Sequence, residues 1–233
     1  MYEIKEDVID RIDKTLSEEI GRIDKYLSTK DEIRENIIRI SREIIRYSSN
    51  CVSNIHLGKI DEAMQLLEKL YVKVTNLKEI TKNHQDLYYS GTIYNALSEY
   101  VECLSLYSII TGKGVPRLSE LDIPIPPYLQ GLGDLIGELR RIILELLRKN
   151  RVDTALLLLN IMETIYYKLR RLHYPDALTP GLRHKIDVAR RLIEDTKALT
   201  IDIANRLKLE KTIRAIIENN KIYEGEGNIK RNL

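Results

Sequence analysis

Residues 128–149 read YLQGLGDLIGELRRIILELLRK. Leu132, Leu135, Leu139, Ile142 and Leu146 recur at spacings of three and four, which winds them onto one side of an α-helix. Asp134, Glu138, Arg141 and Glu145 form a second stripe beside the first, at spacings of four, three and four. Gly133 and Gly137 lie on a neighbouring strip. An interior glycine costs a helix about 1 kcal/mol relative to alanine, so two of them four residues apart point to the close approach of another helix. An apolar stripe with an acidic edge and a glycine strip has to be covered by other helices.

The rest of the chain supplies them. A first helix is expected from Tyr2 to Leu27, with Ile4, Val8, Ile12, Leu16, Ile20, Ile23 and Leu27 as its stripe. Thr29-Lys30-Asp31-Glu32 has the form of a capping box and is expected to start a second helix, carrying Ile33, Ile37, Ile40, Ile44 and Tyr47 towards Leu57. Gly58 fits the stop that follows. Further helices are expected over residues 61–80, 84–110, 128–149 and 153–171. Gly112 to Pro127, with two Gly and four Pro, reads as the one long loop. Thr179-Pro180 reads as an N-cap and first helical position for a last helix reaching Asn219. No segment has a convincing period of two. The expectation is an all-α, up-and-down bundle of about seven helices, one domain over residues 1–220 with a frayed tail at 221–233. Several apolar faces are broader than a monomer needs, which points to self-association.

Composition bounds the function classes. The chain has 233 residues, 43% hydrophobic and 31% charged, a globular balance. Lys plus Arg (37) nearly equals Asp plus Glu (35), so any nucleic-acid binding must use a local patch. Cys51 and Cys103 are far apart in sequence with no CxxC spacing, which gives no zinc or redox motif. His56, His84, His173 and His184 are isolated and read as surface or core residues. With no secretory leader pattern and no apolar run long enough to span a bilayer, a cytoplasmic protein without a membrane partner is expected. The fourteen Tyr, beside no Phe and no Trp, read mainly as core residues with polar tips.

The chemistry-bearing residues are acidic. In Glu99-Tyr100-Val101-Glu102, Ile93, Leu97, Tyr100, Val101 and Leu104 share an apolar face, and the two glutamates lie opposite with Asn95. Such a pair alone reads as a solvated face. Side-by-side packing of this helix with the one bearing Asp134 and Glu138 would instead gather four carboxylates. These would repel and raise one another's pKa values, and a hard divalent cation would relieve the repulsion. Such a cation can activate water and neutralise charge on a scissile phosphate. The spacing leaves both readings open. Arg39, Arg42 and Arg46, at spacings of three and four, make a one-sided basic stripe and the best phosphate candidate. The clusters Lys168, Arg170, Arg171 and Arg183, Lys185, Arg190, Arg191 read as solvated surface at helix ends.

Two motifs carry a family resemblance. Glu99-Tyr100-Val101-Glu102 resembles the E-[FY]-V-E motif of Trax, and Pro127 to Arg141 resembles its D-Y-L-L-G-V-A-D-L-T-G-E-L-M-R segment. The order of helices and the Pro-rich loop between the motifs agree, so the chain resembles the translin/Trax family over most of its length. The resemblance implies a translin-like helical fold in a closed homo-oligomer, an octameric shell. It also implies Mg2+-dependent (or Mn2+-dependent) endoribonuclease activity with a metal-activated water. Glu99, Glu102 and Asp134 match the catalytic, metal-holding positions, and Glu138 matches the next acid of the motif. RNA or single-stranded DNA is the implied partner, and the Arg39, Arg42 and Arg46 stripe together with Arg141 is expected to contact it. Where the eukaryotic proteins carry a His/Arg-rich run before the first motif, this chain has Leu87-Tyr88-Tyr89-Ser90-Gly91, and it has no basic N-terminal extension. It resembles a compact, archaeal-type member. A translin-like nucleic-acid binder without catalysis, and a helical scaffold with solvated acids, are the competing readings.

Overall fold

In the computed structural model the described residues are Lys5 and 7–229, with side chains through Ile217. Tyr2 and Ile4 of the expected first stripe lie outside them. Eight helices and no strands are found among the described residues: α1 (Asp7–His56), α2 (Ile60–Thr81), α3 (Gln85–Tyr88), α4 (Gly91–Ile110), α5 (Leu118–Leu121), α6 (Ile125–Arg148), α7 (Val152–Leu169) and α8 (Leu182–Ile229). The all-α fold is as the periodicity requires. The chain divides into two compact units, with the break between Cys103 and Leu104 inside α4.

In the first unit α1 packs on α2. Ile37, Ile40, Ile44, Cys51 and Ile55 on α1 face Ala63, Leu67, Leu70, Val74 and Leu77 on α2, all buried. The spacings of three and four make a seam of the coiled-coil kind. The chain reverses at Gly58, whose φ of 75° is a left-handed turn that a side chain would strain. Ion pairs from Lys73 to Glu43 and from Lys30 to Asp86 tie α1 to α2 and to α3.

The expected boundary at Thr29–Glu32 is absent, and α1 runs unbroken through it. The Thr29 hydroxyl donates to the Lys25 carbonyl at 3.1 Å, one turn back, instead of capping a new start. No Gly or Pro interrupts the segment, and Lys, Asp and Glu continue a helix as readily as they begin one. The expected helix over 84–110 is instead divided at Tyr89-Ser90, just before Gly91.

In the second unit α6, α7 and α8 pack on one another. The Gln130 amide donates to the Pro180 carbonyl at 2.7 Å, Lys185 Nζ to Asp134, and Arg140 to the Leu192 carbonyl at 3.3 Å. Both chains ascend through these three contacts, so α6 and α8 run parallel. Because α6 meets two helices, its buried face is wider than, and rotated from, the expected stripe. Leu135, Ile136, Leu139, Ile143 and Leu147 are buried, whereas Leu132, Ile142 and Leu146 are half-buried. The Pro-rich loop holds the short α5 and is pinned to α6 by the Tyr128 hydroxyl, which donates to the Pro116 carbonyl at 3.0 Å. The last helix starts later than Thr179-Pro180. Gly181 turns left-handed at φ 70°, its N–H donates to Asp176 Oδ1 at 2.9 Å, and α8 begins at Leu182. It then runs past Asn219 to Ile229.

Candidate functional site

Glu99 and Glu102 lie one turn apart on α4, in the first unit, and both are half-buried. Tyr100, Val101 and Cys103 beside them are buried and fix the helix face. Burial pushes the Tyr100 phenol up to about 12, so this ring is core and does no proton chemistry at neutral pH. Burial likewise raises the Cys103 thiol, and its hydrogen bond with Cys51 and the nearby Glu102 and Glu99 charges add to this. The two cysteines, distant in sequence, therefore meet as buried free thiols of the core.

Asp134 and Glu138 lie one turn apart on α6, in the second unit, with side chains 34% and 24% exposed. Lys185 Nζ donates to both Asp134 carboxylate oxygens, at 2.5 and 2.6 Å. The sequence gives no hint of this pair, because its members are 51 residues apart. The signal that bears on it is Gly133. A Cβ there would stand 3.1 Å from both Cβ and Cδ of Lys185. Glycine leaves room for the lysine stem to lie across α6 and reach Asp134. At Gly137 a Cβ would meet nothing within 4 Å, so only one of the two glycines admits a neighbour. Gly133→Val should therefore destabilise the protein by about 1–3 kcal/mol through overpacking. Gly137→Ala should stabilise it by up to about 1 kcal/mol through helix propensity. Denaturant unfolding checks both, and equal shifts at the two positions would refute the assignment of Lys185 to Gly133.

Lower on α6, Glu145 accepts from Arg148 at 2.8 and 2.7 Å and pairs with Lys149 at 3.0 Å. Those partners hold its carboxyl down at about 2, and it belongs to the helix end. Arg141 is exposed and 3.9 Å from Glu138.

The oxygen donors of Glu99, Glu102, Asp134 and Glu138 are of the kind that Mg2+ and Mn2+ take. Among the described residues, no three His, Cys, Asp or Glu side chains are grouped to hold a metal. The cation at Asp134 is the ammonium of Lys185.

Arg39, Arg42 and Arg46 are exposed along α1 and border a cavity of about 310 Å3 that also includes Glu35 and Glu43. Arg39 donates to Asn36 at 2.7 Å and to Glu43 at 3.4 Å, and Arg46 lies 5.3 Å from the Tyr47 ring. The stripe is one-sided, as its spacing predicts. Among the described residues no helix is long and apolar enough to cross a membrane.

Comparison with known proteins agrees with the family resemblance. An uncharacterised protein of the archaeon Methanocaldococcus jannaschii is 30% identical over 85% of this chain and 89% of its own. The crystal structure of AfC3PO is 30% identical with a TM-score of 0.75, covering 81% of this chain and 98% of that one. A complex of AfC3PO with duplex RNA is 31% identical with a TM-score of 0.72, over 81% and 97%. Apo-NeC3PO, at 23% identity and a TM-score of 0.72 over 79% and 96%, shares the fold. The Translin family profile matches residues 32–196, from the second half of α1 into α8 and across both acidic motifs, and the chain belongs to the Translin family.

Proposed function

We propose that the protein is a metal-dependent endoribonuclease. Glu99, Glu102 and Asp134 would hold Mg2+ or Mn2+, and Glu138 is the fourth acid of the proposed set. What supports this reading is that both acidic motifs lie inside the Translin family match, with Glu99 and Glu102 one turn apart on α4 and Asp134 and Glu138 one turn apart on α6. A divalent cation bound there would supply acidified water and charge neutralisation at a scissile phosphate. Lys185 meanwhile keeps Asp134 oriented. The duplex RNA held by AfC3PO supports RNA as the substrate class. The uncovered apolar stripe of α1 supports a closed homo-oligomer, and the resemblance gives it eight copies.

The direct test is cleavage of end-labelled RNA by the full chain. Cleavage should require Mg2+ or Mn2+ and stop with a chelator. A second reading, binding without cleavage, is favoured by the ammonium already seated on Asp134. A chain that binds RNA yet leaves it intact under both metals would establish that reading instead.

RNA is expected to lie along Arg39, Arg42 and Arg46, with Arg141 as a further contact. Changing the three α1 arginines to glutamine should weaken binding and flatten its salt dependence by up to about two to three ions released, since each phosphate neutralised contributes about 0.7–0.9 to the slope. Filter binding across a salt series measures this. An unchanged slope would mark the stripe as ordinary solvated surface.

A further inference from the structure

The C-terminal end of α7, the segment after it and the first turns of α8 enclose a cavity of about 550 Å3, within the range of small-molecule sites. Arg170, Arg183 and Arg190, all three exposed, line it from parts of the chain that read separately as ordinary helix-end surface. His173, Tyr166, Tyr174 and Thr179 complete the polar lining, and Asp187 is its single carboxylate. Among the described residues none of the three arginines makes an ion pair. By contrast, Arg140, Arg141 and Arg148 on α6 each have a carboxylate within 4 Å. The floor is firm, with Tyr166, Thr179 and Leu182 buried, while Tyr174 is 61% exposed with its ring free to receive a partner.

Three guanidinium groups beside one cavity, against one aspartate, give it a net positive charge that favours an anion. The planar guanidinium fork matches phosphate oxygens, and arginine is weakly hydrated enough to use the match. An exposed tyrosine at the rim offers a face on which a base can stack. We propose that this cavity binds a nucleoside phosphate, with the arginines on a terminal phosphate and Tyr174 against the attached base. Such a group is either the end of an RNA strand or a free mononucleotide. The site needs no divalent cation and stands whether or not the chain cleaves RNA.

The test is fluorescence anisotropy with the full chain in chelator, so that no strand is cut. The probes are one short oligoribonucleotide carrying a 5′-phosphate, a 3′-phosphate or neither. At least one phosphorylated form should bind about 10-fold tighter than the unphosphorylated strand, the scale of one charge-assisted hydrogen bond. Combined Arg170→Gln, Arg183→Gln and Arg190→Gln should erase that preference. Tyr174→Ala should weaken binding of every probe without erasing it. Competition by adenosine monophosphate at equal concentration would identify the free mononucleotide as the ligand, and preference for the strand would identify its end. The proposal is overturned if the parent protein shows no phosphate preference and no mononucleotide binding, or if the triple variant, with unchanged circular dichroism, keeps the preference.

Discussion

Glu102→Gln is expected to lower Mg2+-dependent RNA cleavage by about 100-fold or more while RNA still binds. Losing even a partner that only orients a metal ligand costs about 10–100-fold, so loss of a ligand's own charge should cost more. The substitution keeps shape and leaves the fold alone. Tyr100, Val101 and Cys103 hold this stretch of α4 in the core, whereas Glu102 itself is half-buried. Thermal unfolding should therefore scarcely move, which separates lost chemistry from lost structure. Binding should hold or tighten, because a negative charge near phosphate has gone. Asp134→Asn should behave alike in cleavage, and added Mg2+ should rescue neither variant. It also removes the anion under Lys185, so a modest loss of stability should accompany it. If both variants cut RNA at the parent rate, these acids are not the catalytic set.

The two motifs differ in how much of their surroundings could be read in advance. Helical spacing was enough to place Glu99 with Glu102 and Asp134 with Glu138, since a helix fixes what lies one turn away. Partners across helices are another matter. Lys185 is on Asp134 because α6 and α8 run parallel and Gly133 clears its stem, and no spacing within either helix encodes that. The arginines at the end of α7 and the start of α8 were visible only as two separate clusters, and the turn through Gly181 brings them around one cavity.

The fold shows the same division. Residues 61–80 are legible because Ala63, Leu67, Leu70, Val74 and Leu77 recur at fours and threes after the stop at Gly58, and α2 is Ile60–Thr81. The break expected at Thr29 was not there, because a capping box is only a local option. Thr29 takes the alternative of bonding back into its own helix. The register of α6 shifted for a third reason, since a helix buried against two others has no single stripe for its sequence to advertise.

Leu16→Glu with Ile20→Glu should break the assembly. Ile12, Leu16, Ile20, Ile23 and Leu27 repeat at spacings of four, four, three and four along the first half of α1, and each is about half exposed or more. Leu16 is 55% and Ile20 59% exposed, in a helix whose second half is packed tightly on α2. A stripe this regular and uncovered is the pattern by which helices of separate copies join. Burying each such side chain contributes about 1.5–3 kcal/mol. Placing an unpaired carboxylate in a desolvated seam costs several kcal/mol more. Two glutamates per copy, repeated at every interface, should reduce the parent oligomer to small species at micromolar concentration, as read by light scattering. The cores of α2 and of α6 to α8 are remote in sequence from the change, so helix content should survive. Either a parent that is monomeric at that concentration, or a double variant of unchanged mass, would rule out α1 as the joining surface.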